Sequence, residues 1–153
     1  MKRSASAVWS GGLQDGKGTV STESGTLSNV PYNFRMRFEN EKGTNPEELV
    51  AAAHAACFSM ALSLFLGQAG MTAQSIDTKA TVSLEKVGEG FSVTASHLET
   101  TVKIPNADKA AFDKAVETAK SGCPISKLLN AKITMDARLA RAPGVRAAVE
   151  VYE

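Results

Sequence analysis

Asn45-Pro46-Glu47-Glu48-Leu49-Val50-Ala51-Ala52-Ala53-His54-Ala55-Ala56-Cys57-Phe58-Ser59-Met60-Ala61-Leu62-Ser63-Leu64-Phe65-Leu66-Gly67 is the stretch on which the fold turns. It opens like a helix. An asparagine stands at the N-cap, a proline at the first helical position, and two glutamates in the first turn, where the helix dipole favours negative charge. The pattern predicts one helix from Pro46 to Leu66, stopped at Gly67. Its residues are apolar nearly all round, which marks a helix buried on most sides. Ala51, Ala52, Ala53, Ala55 and Ala56 leave it thin, so a second backbone can come close. That backbone belongs either to the chain's own sheet or to the helix of a second subunit. The apolar run from Leu49 to Leu66 has the length of a membrane span. Its flanks read as amphipathic strand, however, and a buried core helix is the expectation.

Upstream, the sequence alternates like sheet. Ala5 to Trp9 and Gly18 to Thr22 are short candidate strands around the turn Gly11-Gly12. Tyr32, Phe34, Met36 and Phe38 fall on one face of a third, with Asn33, Arg35, Arg37 and Glu39 on the other. Downstream, Ile76, Ala80, Val82 and Leu84 alternate with polar residues. Gly88-Glu89-Gly90 turns the chain, and a strand returns from Phe91 to Ile104. Its apolar set shifts from odd to even positions, which predicts a β-bulge near Ser96-His97. Phe112, Ala115, Val116 and Ala119 have helical spacing and lead to a stop at Gly122. Cys123-Pro124 opens a short helix, and Ile133, Met135, Ala137 and Leu139 alternate in a last strand. The expectation is an α+β domain over residues 1–140, an antiparallel sheet with a long buried central helix. Residues 141–153 form a C-terminal tail without an assignment.

Composition narrows the function classes. The chain has 153 residues, 43% of them hydrophobic and 22% charged, as in an ordinary soluble domain. A formal net charge of +1 provides no field for nucleic acid or an anionic membrane, so neither is expected as a partner. The basic start Met1-Lys2-Arg3 is followed by no apolar run, so a cytoplasmic protein without a secretory signal is expected. Two cysteines are too few for a disulfide scaffold. In a reducing compartment they are either inert core residues or a redox pair.

Each candidate residue has a plain structural reading beside its chemical one. Cys57, in mid-helix, packs well as a small hydrophobe, and burial raises a thiol's pKa. Cys123 precedes Pro124 at a helix start, where the dipole and free N–H groups favour a thiolate. Local physics alone therefore makes Cys123 the nucleophile. His54 and His97 are the only histidines and have no cluster of further ligands, so no metal site is expected. His54 lies one turn before Cys57 and reads as a packed or hydrogen-bonded side chain. No nucleophile-elbow, Walker or dinucleotide glycine motif is present.

Three longer runs are more specific. They are Arg37-Phe38-Glu39-Asn40-Glu41-Lys42-Gly43-Thr44-Asn45-Pro46-Glu47-Glu48-Leu49 continuing to Ala52-Ala53-His54-Ala55-Ala56-Cys57-Phe58-Ser59-Met60-Ala61-Leu62, then Lys17 to Gly25, then Gly122-Cys123-Pro124-Ile125-Ser126. The chain resembles, on these runs, the osmotically inducible protein C (OsmC) branch of the OsmC/Ohr hydroperoxide-resistance family, from about Ala7 to Leu139. The resemblance implies an OsmC-like fold and an intertwined homodimer with two active sites at its interface. Each site would hold a peroxidatic cysteine at Cys57, a resolving cysteine at Cys123, an arginine at Arg37 and a glutamate at Glu47. It further implies reduction of organic hydroperoxides, and more weakly of hydrogen peroxide, without metal or flavin, with recycling by a dithiol such as a lipoyl group.

Those roles are chemically coherent. An apolar pocket suits an alkyl hydroperoxide but disfavours a thiolate. A guanidinium 4 Å away opposes that with about 4 kcal/mol of gross attraction at an effective dielectric of 20. A glutamate can hold the guanidinium fork in place. Glu47 and Cys57 lie ten positions apart on one helix, about 15 Å along its axis. Two helices crossing near Ala52 would bring each glutamate to the other subunit's cysteine. The competing readings are a stress-induced protein that sequesters an apolar ligand, and a redox sensor using the same cysteines; catalytic turnover separates both from an enzyme.

Overall fold

The structure, a computed structural model, describes residues 1–140 and the backbone of residues 150–152. The chain divides into two compact units, Met1–Leu49 and Val50–Glu153.

In the first unit, β1 (Ala5–Ser10), β2 (Lys17–Thr22) and β3 (Val30–Tyr32) form an antiparallel sheet in that order. Trp9 and Tyr32 meet with ring centroids 5.5 Å apart. They close over Gly18, where a Cβ would come within 2.8 Å of both rings, so only glycine fits beneath them.

The strand expected through Phe38 ends at Tyr32. Residues Phe34–Phe38 form a short helix, α1. Asn33 caps it, its side chain accepting a 2.8 Å bond from the Met36 N–H. The same residues alternate apolar and polar, but the cap selects the helical alternative. Phe34 and Phe38, one turn apart, then pack at 4.8 Å.

The long helix α2 (Pro46–Gln68) starts where expected and runs one residue beyond Gly67. Asn45 caps it by accepting from the Glu48 N–H at 2.9 Å. Gly70, at φ 75°, turns the chain away, and the Met71 N–H returns to the Leu66 carbonyl at 2.9 Å. Burial of α2 differs from the expectation. His54, Phe58, Leu62 and Leu66 are buried, a single stripe at four-residue spacing. On the opposite face Ala52, Ala53, Ala56 and Ser63 are exposed, with Met60 76% and Leu64 58% accessible. One layer covers one stripe of a helix, and the residues of the far face are exposed.

In the second unit, β4 (Ser75–Val87) and β5 (Gly90–Lys103) form a hairpin turned at Gly88. The expected parity shift is present, but it lies at Thr94: Ser83 faces Ala95 and Leu84 faces Val93, leaving Thr94 unopposed. From Ser96 onward the even residues Ser96, Leu98, Thr100 and Val102 point into the core. Helix α3 (Lys109–Gly122) is capped by Asp108 and buries Phe112, Ala115, Val116 and Ala119. Helix α4 (Pro124–Leu128) follows, then β6 (Lys132–Leu139) and β7 (Glu150–Tyr152). Sheet order is β4-β5-β6-β7. The expectation of an antiparallel sheet fails at one pair, because β6 runs parallel to β5. Two helices intervene between these strands, and such a crossover returns the chain in its original direction. The tail, unassigned from sequence, includes β7, antiparallel to β6.

Candidate functional site

The core of the second unit brings the two cysteines together. They lie 3.0 Å apart, although the sequence separates them by an entire hairpin and a helix. Cys57 is half-buried on α2. Cys123 is fully buried where α3 ends and α4 begins. Phe58, Leu98, Val116 and Met135 are in the same apolar cluster.

The electrostatics of the pair revise the local argument from sequence. Burial, and then the hydrogen bond to Cys123, push the Cys57 thiol above its ordinary value. The Ile125 N–H, bonded to the Cys57 sulfur, pulls the other way. That N–H belongs to the first turn of α4, so this helix start serves Cys57. Cys123 stands at its N-cap and makes no side-chain capping bond. A free backbone donor stabilises whichever sulfur lies in front of it, and that sulfur comes from another element.

One turn before Cys57, His54 is fully buried and doubly bonded. Its Nδ1 lies 2.7 Å from Ser96 Oγ on β5, and its Nε2 lies 2.8 Å from Ser126 Oγ on α4. Burial lowers its pKa and keeps the ring neutral. Sequence reasoning anticipated a packed or hydrogen-bonded histidine but neither serine. Ser126, three residues after Cys123, could have been found only by knowing that α4 folds against α2. A parallel contact ties α2 to the hairpin, where Ser59 donates to Thr78 at 2.8 Å and Thr78 meets Thr100 at 3.0 Å.

In the first unit, Arg37 on α1 and Glu47 in the first turn of α2 form a fork. Arg37 Nε donates to both carboxylate oxygens, at 3.2 and 3.1 Å, and Nη2 donates to Oε1 at 2.6 Å. Glu47 is the more sheltered partner, 13% accessible against 36% for the arginine. The ion pair therefore has less solvent screening than a fully exposed pair. Nη1 has no protein partner among the described residues. Beside the guanidinium lies a cleft of about 270 Å³ walled by Trp9, Leu13, Tyr32, Phe34 and Phe38. The described residues contain no group of three or more His, Cys, Asp or Glu side chains placed to hold a metal ion.

A model of the OsmC-like protein family matches residues 39–138, the stretch that includes both cysteines and Glu47. The chain belongs to the OsmC family. It is 59% identical over 133 residues to Peroxiredoxin OsmC of Escherichia coli (strain K12), which covers 87% of this chain and 93% of that protein. Over 126 residues it is 32% identical to organic hydroperoxide resistance protein-like 2 of Staphylococcus epidermidis, covering 81% of this chain and 86% of that one. Among solved structures it is similar to the organic hydroperoxide resistance protein OhrB of Bacillus subtilis, with TM-score 0.63 and 25% identity. That match covers 90% of this chain and 98% of the other. This mixed α+β chain with two sheets is similar in fold to solved OsmC-like structures. The first of these relatives is named a peroxiredoxin, and the other two are named for organic hydroperoxide resistance.

Proposed function

We propose that this chain is a two-cysteine peroxidase that reduces organic hydroperoxides, with Cys57 as the peroxidatic residue. The observation that carries the reading is the 3.0 Å separation of its only two cysteines, inside a chain 59% identical to a named peroxiredoxin. The Cys57 thiolate attacks one peroxide oxygen, the O–O bond breaks, and the departing alkoxide takes a proton and leaves as an alcohol. Cys57 is left as a sulfenic acid. The Cys123 sulfur attacks the Cys57 sulfur, hydroxide leaves with the Cys123 proton as water, and a disulfide forms. An external dithiol such as a lipoyl group reopens it by exchange and is itself oxidised.

Arg37 supplies the positive charge that a buried thiol needs, and Glu47 holds its fork. The apolar cleft beside Arg37 favours an organic substrate over hydrogen peroxide. The working form is a homodimer. A second copy covers the exposed apolar face of α2, and the close-packing alanines permit the crossing. This reading also accounts for a helix long and apolar enough to cross a membrane without assigning it to one.

Two assays test the proposal. Purified protein should consume cumene hydroperoxide catalytically with excess dihydrolipoamide, faster than it consumes hydrogen peroxide. Dimedone should label Cys57 in the Cys123→Ser protein after one equivalent of hydroperoxide. A label confined to Cys123 in the Cys57→Ser protein reverses the roles. A single oxidation without turnover sinks the enzyme and leaves a sensor.

A further inference from the structure

Helix α4 has five residues, too few to hold its own shape in water, yet its N-cap is Cys123. Lys127 and Leu128 face solvent. Ile125 packs on the core and its N–H meets the Cys57 sulfur, and the one hydrogen bond made by an α4 side chain among the described residues joins Ser126 Oγ and His54 Nε2. His54 is on the rigid helix that carries Cys57, three residues earlier and on the same face. The bond therefore joins the two segments that bear the reacting sulfurs. Ser96, on β5, occupies the other ring nitrogen and fixes the ring's orientation, as an outer partner does for a functional histidine. All three side chains are buried, so water cannot replace a lost partner cheaply.

The geometry points to His54 as a positioning residue for the resolving step: through Ser126 it holds the first turn of α4 so that Cys123 stays within reach of Cys57. It thereby sets how the Cys57 sulfenic acid partitions. In one direction Cys123 closes the disulfide and water is released. In the other a second hydroperoxide oxidises the sulfenic acid to sulfinic acid and leaves as an alcohol. The inference rests on the two-cysteine reading above, and the experiment separates the two.

A glutamine at position 54 can place its amide near the Nε2 position and keep the Ser126 bond; an asparagine reaches only the Nδ1 position and keeps the Ser96 bond. Rapid mixing with one equivalent of cumene hydroperoxide, followed by thiol alkylation and mass spectrometry, times sulfenic acid formation and disulfide formation separately. His54→Asn and Ser126→Ala should form sulfenic acid at nearly the wild-type rate. Their disulfide should form roughly tenfold or more slowly, as expected for a misplaced reacting group. Both should also accumulate sulfinic acid at lower hydroperoxide excess. His54→Gln should retain most of the wild-type disulfide rate. Should His54→Asn fail to fold, Ser126→Ala, which removes one hydroxyl, carries the test. Wild-type disulfide rates in the folded variants, or equal slowing of both steps, overturn the role of His54. A wild-type protein that forms no Cys57–Cys123 disulfide overturns the two-cysteine reading instead.

Discussion

Cys57 sits where a thiol resists ionising. Burial and the neighbouring thiol both favour its protonated form, and of its own unit only the Ile125 N–H opposes them. With its pKa raised, the group is protonated at neutral pH, and the reactive thiolate is scarce until the pH climbs. On the proposed reading, an Arg37 guanidinium brought to the sulfur would reverse the sign by favouring the charged form. Ultraviolet absorbance at 240 nm, in a Cys123→Ser background, should therefore show the Cys57 thiolate appearing at lower pH with Arg37 than with Arg37→Met. Sulfenic acid formation at pH 7 should fall by roughly tenfold or more in the variant, the range expected when an opposing charge a few ångströms away is lost. Superimposable titrations would remove Arg37 from the site. Cys57 and Cys123 were legible as a pair in the sequence through the runs around them. Which sulfur the α4 terminus serves was not, because a helix start names its own cap but not the group that another element presents to it.

At the scale of elements, signals local in sequence were the readable ones. The α2 start at Pro46, the β4–β5 hairpin and the α3 stop at Gly122 each rest on caps, turns or alternation. The failures have two causes. Phe34–Phe38 alternates like a strand, but one side-chain bond from Asn33 tips it into a turn of helix. The parallel direction of β6 depends on how two intervening helices cross, which no periodicity records. Asn45 is the testable case of a local signal. Asn45→Ala removes the bond to the Glu48 N–H and frees the Nδ2 contact to the Met36 carbonyl. The loss should be about 1 kcal/mol. In thermal unfolding that is a fall in Tm of about 2–4 °C for a chain of this size. An unchanged Tm would mean that α2 is held by its packing alone.

For the whole molecule, the uncovered face of α2 is the feature to be explained. The alanine-rich composition was legible as a close-approach surface, but the partner was not, since one chain's pattern cannot distinguish a sheet from a second copy. If two copies cross on this face, Glu47 and Cys57 of opposite subunits share a site. Co-expressed, differently tagged Cys57→Ser and Glu47→Ala chains, each nearly inactive as a homodimer, should then form heterodimers with up to about half the wild-type rate, since one of two sites is restored. Heterodimers as inactive as both parents, beside active wild-type dimers bearing the same tags, would place Glu47 and Cys57 in one subunit. A further consequence concerns time. Cys57 leaves the ribosome 66 residues ahead of Cys123 (123 − 57). At about 5–20 residues per second, that is roughly 3–13 s in which the older thiol has no younger one to close on. On the proposed two-cysteine reading, a Cys57 oxidised during synthesis has no intramolecular rescue, so the nascent chain would be more exposed to peroxide damage than the finished protein.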